Sequence, residues 1–313
     1  MAVAILGLGL AVPETRLTNA DLEKMLDTSD SWIVDRTGIR ERRVAGPDDT
    51  TATLGAAAGA AAIKDAGLTP EDIGLVMVAT CTPVQVLPST AALIQDAIGL
   101  HCGALDVGAA CAGFVYGLVA SAGMGAGRPT LLVGTETLTR ITDPDDRSTR
   151  ILFGDGAGAA VVGPPTDPGA GLLAWDLGCD GSAAALLEVP VGDRYMRMEG
   201  SEVFRRAVRI VVDSAAVTLE RGGLSAADVD LFVPHQANVR IIDACCSRLG
   251  IPVERTAVNL DRYGNTSAAS IPMALAEASE AGRLKRGDVV LLSGFGAGMT
   301  WASALLRWDG EPA

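Results

Sequence analysis

Histidine is nearly absent from this 313-residue chain: His101 and His235 are the only two. A His-rich metal site is therefore excluded, and any imidazole chemistry has two candidates. Six cysteines stand at 81, 102, 111, 179, 245 and 246 without a Cys-x-x-Cys pair. That argues against a zinc site and, with no secretory context, against a disulfide framework. Aromatic residues make up 4% of the chain while glycine numbers 37, so the core must rely on close backbone approach more than on large rings. Positive charge is short as well: 25 Lys and Arg against 38 Asp and Glu leave a formal charge of -13. A general nucleic-acid surface, which needs clustered basic residues, is excluded. No apolar run reaches membrane-spanning length without a charge or a breaker, and no basic residue precedes the apolar start "AVAILGLGLAVPE". Neither a membrane helix nor a signal peptide is expected, which places the chain in the cytosol.

What is present fits a globular protein: 49% of residues are hydrophobic and 20% charged, ample for a buried core. Two stretches read alike, "LTPEDIGLVMVAT" (Leu68 to Thr80) and "LSAADVDLFVPHQ" (Leu224 to Gln236). Each is a capped acidic turn before an apolar strand, and they lie 156 residues apart. The same offset carries Cys111 to Ser267, in "YGNTSAASIPMALAEA", again a tight turn into an Ala-rich helix. Buried strands follow in both places, "PTLLVGT" and "DVVLLSG", then the Gly-rich turns "FGDGAGAAVVG" and "FGAGMTWASALLRW". This order predicts a duplicated α/β protein, residues 1–165 forming one half and 166–313 the other, joined near "GPPTDPGAG". Corresponding helices would then start near a pseudo-twofold axis, with Cys111 beside the Asn265 turn. His235 would stand just past a strand's carboxyl end, where open α/β sheets bind ligands.

Each candidate residue also has a plain structural reading. Cys111, in "VGAACAGFVYG", is either a small packed hydrophobe or a nucleophile whose thiolate is favoured by a helix N-terminus. His235, in "FVPHQAN", either caps a turn or serves as the base or hydrogen-bond donor that a cysteine nucleophile requires. Asn265, in "DRYGNTSAAS", is a common capping residue. The other five cysteines read as packing.

Together, "DVGAACAGFVYG", "VPHQANVRII" and "LDRYGNTSAASIPMAL" resemble the Cys-His-Asn motifs of β-ketoacyl-acyl-carrier-protein synthase III, a thiolase-like condensing enzyme. The likeness runs nearly end to end, through "SDSWIVDRTGIRERR", "LPSTAALIQDAIG" and "GFGAGMTWASALLRW". It implies a layered α-β-α-β-α fold and a decarboxylative Claisen condensation of an acyl-CoA primer with malonyl-acyl carrier protein. By that resemblance Cys111 carries the acyl group, while His235 and Asn265 donate hydrogen bonds to the thioester oxygen during decarboxylation. The backbone N–H groups of Cys111 and Ala297 would form the oxyanion hole, and Phe295 would pack beside the cysteine and exclude water.

The likeness further implies a CoA site in which Trp32 and Arg147 sandwich the adenine, Arg36 meets a phosphate, and Gly200 and Asn238 lie near the pantetheine arm. Arg205, Arg240 and Arg248 match the carrier-docking patch; a solvated helix face is the plain alternative. The family homodimerises, and Leu87 stands where the best-known straight-chain enzymes have a Phe that crosses into the partner's acyl pocket. A smaller group there predicts room for propionyl, branched or longer primers. No metal and no resident cofactor are expected. The rivals are a starter-unit acyltransferase of a secondary pathway and a non-catalytic chain-length partner, the latter opposed by the intact Cys-His-Asn set. A dehydrogenase suggested by "GLGLAV" fails because Val12 stands where a third glycine is needed.

Overall fold

The computed structural model describes residues 3–125 and 127–310. In the first half, strand β1 (Ala4–Ala11) is followed by helix α1 (Asp30–Thr37), α2 (Thr51–Asp65), β2 (Leu75–Ala79), α3 (Thr90–Ile98), β3 (Gly103–Val107), α4 (Gly113–Met124), β4 (Thr130–Thr137) and β5 (Asp155–Gly163). The second half runs β6 (Gly171–Cys179), α5 (Gly200–Arg221), β7 (Leu231–Pro234), α6 (Val239–Leu249), α7 (Ser270–Glu280), β8 (Val289–Gly296) and β9 (Thr300–Arg307). Helix starts follow local chemistry. Ser29 accepts from the Trp32 N–H ahead of α1, and Asn238 accepts from the Arg240 N–H ahead of α6.

The first sheet has the order β1-β5-β4-β2-β3, antiparallel at its first two pairings and parallel at the next two. Read from β6, the second has the order β6-β9-β8-β7, with the same alternation of directions. A single parallel bridge from Phe232 to Thr256 stands where a fifth strand would pair. The two acidic turns are also alike: Asp72 accepts from the N–H and hydroxyl of Thr69, and Asp228 from those of Ser225. The offset is not uniform. Strands β2 and β7 begin 156 residues apart (Leu75 and Leu231), whereas the one-turn 3-10 segments before α4 and α7 begin 157 apart (Ala110 and Ser267). Ser267 therefore corresponds to Ala110 and not to Cys111 as the sequence offset implied.

Alternate residues of β4 and β8 point to opposite faces, so each sheet is covered on both sides. Leu132, Val290 and Leu292 pack with Phe114, Leu118, Ile271 and Leu275 of α4 and α7 in the middle layer. Leu131 and Val133 face α2 and α3, and Val289 and Leu291 face α5 and α6. The result is five layers, α-β-α-β-α, with α4 and α7 between the sheets.

Scarcity of large rings is matched by tight backbone contact. A Cβ placed on Gly134 of β4 would lie 2.3 Å from the Ala268 carbonyl oxygen, in the turn leading to α7. That contact is main chain against main chain, so it has little room to adjust. Gly134→Ala is expected to cost about 1–3 kcal/mol through overpacking. Urea unfolding checks this, and an unchanged midpoint would contradict so close an approach.

Candidate active site

Cys111 sits in the one-turn segment Ala110–Ala112 that leads into α4, and it is buried. Ala110 has φ 46° and Ser267, in the matching turn before α7, φ 48°. They are the two non-glycine residues in the left-handed region among those described, and strain of this kind concentrates at functional sites. Gly296, at the end of β8, lets the chain pass close by: a Cβ there would lie 2.6 Å from the Cys111 nitrogen.

A cleft of about 650 Å³ runs from Trp32, Arg36 and Ser148 at its mouth to Cys111, His235, Asn265 and Phe295 at its floor. Behind Cys111 a second cavity of about 180 Å³ is lined by Leu138, Ile141, Phe153, Leu187, Val189 and Met196, with Cys81, Ser267 and Ala297 near the thiol. Cys111 thus belongs to the wall between a long entrance and a small apolar chamber.

The polar groups on the floor are oriented by their neighbours. The Asn265 Oδ1 accepts the Ser267 N–H at 2.8 Å, which leaves its Nδ2 donors to the cleft. Its backbone is held on both sides, N–H to the Leu152 carbonyl at 2.8 Å and carbonyl to the Gly154 N–H at 3.0 Å. His235 follows β7; its N–H binds the Ser293 carbonyl at 2.8 Å and its ring packs edge-on against Phe295, 5.4 Å between centroids. Its Nδ1 lies 2.6 Å from the Ser270 hydroxyl. Burial pushes the imidazole pKa down to about 3, so it is neutral at physiological pH.

The thiolate expectation for Cys111 is corrected. Burial pushes its thiol up to about 12, outweighing the stabilisation offered by Ser267 and by its own backbone N–H. The cost of desolvating a charge there exceeds the pull of a helix N-terminus.

At the mouth, the Trp32 ring is flanked by two guanidinium groups, Arg36 at 4.3 Å and Arg147 at 4.8 Å from its centroid. A base sandwiched between Trp32 and Arg147 needs about 7 Å between the two faces, so it has to part them. Asn238 caps α6 and donates from Nδ2 to the Arg36 carbonyl at 3.0 Å, while Gly200 opens α5 beside it. Arg205 and Arg240 line the cleft, Arg205 paired with Glu202 and Arg240 lying over the Phe204 ring at 5.6 Å. Arg248 is exposed in the last turn of α6. Leu87 lines neither cavity of the single chain; it is 83% exposed, next to Val86 at 92%.

Several residues escaped the sequence. Glu136, at the end of β4, is fully buried and accepts from Thr82 Oγ1 at 2.6 Å, Thr80 Oγ1 at 3.2 Å and the Cys81 N–H at 3.0 Å. Burial raises its carboxyl pKa. Arg42 is buried too, donating to the Ile151 carbonyl at 2.7 Å and the Asn19 Oδ1 at 2.9 Å, which braces the segment that Asn265 pairs with through Leu152 and Gly154. Glu136 is marked only by a charge within an otherwise apolar stretch, and Arg42 stands unremarked among the charges of "GIRERR".

A duplicated five-layer fold whose central turns bring a thiol and two oriented donors to one cleft defines a thiolase-like acyl-transfer enzyme. Family models described as 3-oxoacyl-[acyl-carrier-protein (ACP)] synthase III and its C-terminal part match residues 105–181 and 219–308. A β-ketoacyl-[acyl-carrier-protein] synthase III of Roseiflexus castenholzii is 50% identical over 324 aligned residues, covering 98% of this chain and 98% of its own. The crystal structure of 3-oxoacyl-[acyl-carrier-protein] synthase III from Aquifex aeolicus superposes with a TM-score of 0.94 at 44% identity, over 98% of this chain and 100% of that one. The priming β-ketosynthase of the R1128 polyketide pathway gives 0.92 at 39% identity, over 100% and 97%. The chain belongs to the β-ketoacyl-acyl-carrier-protein synthase III family of condensing acyltransferases.

A thiol pKa near 12 has a direct consequence. Alkylation of Cys111 by iodoacetamide, followed on its own peptide by mass spectrometry, is expected to accelerate about tenfold per pH unit from 7 to 9. A plateau below pH 8 would show that the resting group is already a thiolate.

Proposed function

We propose that the initiating condensation of this family is carried here by Cys111, His235 and Asn265. Cys111 attacks an acyl-CoA thioester, CoA leaves as its thiol, and the acyl group stays on sulfur. Malonyl-acyl carrier protein then enters the same cleft and loses CO2, and the enolate so formed attacks the acyl-cysteine carbonyl to give a 3-oxoacyl product and a free thiol. The observation that carries this reading is the position of Cys111 between an entrance long enough for a pantetheine arm and a small apolar chamber suited to an acyl chain.

Developing charge has a donor at each stage. The N–H groups of Cys111 and Ala297 face the acyl carbonyl oxygen, and the His235 and Asn265 donors face the malonyl thioester oxygen. Phe295 shields the thiol from water. Trp32, Arg36 and Arg147 hold the nucleotide end of CoA, and Gly200 and Asn238 border the arm. Arg205, Arg240 and Arg248 form a local basic face for an acidic carrier on an otherwise acidic protein.

The chain acts as a homodimer in this reading. Val84, Val86 and Leu87, close in sequence, are large, apolar and exposed in the single chain, a stretch that calls for a partner. Leu87 reaches the chamber only from that partner, and its small size admits primers beyond acetyl. The two halves meet between Gly163 and Gly171, in support of a division at residues 165 and 166. A cytosolic setting agrees with six free cysteines. The likeness to a priming β-ketosynthase favours, as a second reading, a primer destined for a polyketide.

Native mass spectrometry after exposure to acetyl-, propionyl-, isobutyryl- and longer acyl-CoAs tests these points together. The expected result is twice 32.0 kDa, with one acyl group per subunit for several primers and none in Cys111→Ala. Arg240→Glu should load normally yet raise KM for the carrier substrate. Loading that survives Cys111→Ala would overturn the assignment, a monomer mass would overturn the dimer, strict acetyl loading would refute the wider pocket, and equal effects on loading and carrier would remove the docking role.

A further inference from the structure

We propose that Ser270 is a positioning residue: its hydroxyl holds His235 in the tautomer with the proton on Nε2, so that the imidazole meets the thioester oxygen as a donor and never as a base. The inference deepens the proposed function and rests on that reading for its catalytic consequence.

Ser270 is the first residue of α7 and is 1% exposed. Its oxygen is 2.6 Å from His235 Nδ1 and 3.4 Å from the Gln236 nitrogen. The Gln236 N–H can only donate, so it takes a lone pair of the hydroxyl. The hydroxyl has one proton to give, and among the described residues Nδ1 is the acceptor in contact with it. That proton therefore points at Nδ1, which must be unprotonated.

Because burial keeps the ring neutral, its single N–H is then Nε2–H. His235 lines the cleft, and the nitrogen not engaged by Ser270 is the one left to face a ligand. Were the proton on Nδ1, Ser270 would accept it, and Nε2 would turn a lone pair toward an oxygen gaining negative charge. The same short stretch, "NTSAAS", also aims the other donor, since the Ser267 N–H holds Asn265 Oδ1. The turn before α7 and the first residue of that helix thus supply Asn265 and orient both side chains. Ser270 touches no substrate in this scheme; it acts through His235.

Scarcity of histidine makes the test clean. Protein carrying ring-15N histidine gives signals from His101 and His235 alone, and His235→Asn assigns them. The wild type is expected to show His235 with Nε2 protonated and Nδ1 bare. Ser270→Ala should mix the tautomers and slow CO2 release from malonyl-acyl carrier protein about tenfold or more, with Cys111 acylation within about twofold. Ser270→Thr, which keeps the hydroxyl, should restore both the spectrum and the rate.

A wild-type spectrum with the proton on Nδ1 overturns the proposal whatever the variants do. So does a folded Ser270→Ala protein that decarboxylates at the wild-type rate. An enzyme that releases no CO2 at all, yet shows the Nε2–H tautomer, would sink the proposed reaction and leave the orientation of His235 standing.

Discussion

The structure depends on the close approach of two turns between its sheets. Ala110–Ala112 and Ser267–Ala269 head the central helices α4 and α7, and Gly134 and Gly296 let neighbouring main chain press against them. An added Cβ at either glycine would collide with backbone, so the spacing is set by atoms that cannot swing aside. Few large rings are needed in such a core, and few are present. The same packing sets Cys111 beside Ser267 and brings Asn265 to the floor of the cleft.

Burial then sets the chemistry. A site this enclosed disfavours charge on every group in it: the Cys111 thiol and the Glu136 carboxyl are pushed up, and the His235 imidazole is pushed down. Burial thus works against charge on all three groups, while the Asn265 amide is oriented as a neutral donor. Fixed donors in a low-dielectric site need no rearrangement when charge appears on a thioester oxygen, which is where preorganisation contributes most. Hydrogen bonds from Ser267 to Asn265 and between Ser270 and His235 provide that aim.

Much of this was legible in the residues. The repeated acidic turns and strands predicted two like halves, and the four strands of the second sheet repeat the order and directions of four of the five in the first. Cys111, His235 and Asn265 stood in recognisable stretches and meet in one cleft. Trp32 and Arg147 are in contact, but closed on each other instead of open for a base. What escaped depends on three-dimensional neighbours. Glu136, Arg42 and Ser270 acquire meaning only from burial and from partners dozens of residues away. Cys81 read as packing and borders the small cavity beside Cys111. The thiolate reading of Cys111 failed because a helix terminus is visible in sequence and desolvation is not. Leu87 lies outside the single chain's cavities and is largely exposed.

The central claim is that Asn265 acts by donating from Nδ2 while its Oδ1 is committed to the Ser267 N–H. Asn265→Asp keeps the acceptor and removes the donor with almost no change in shape. CO2 release from malonyl-acyl carrier protein by this variant, measured beside acylation of Cys111 by acyl-CoA, separates the two stages. The account predicts about 100-fold slower decarboxylation with acylation retained. Decarboxylation at the wild-type rate would contradict it.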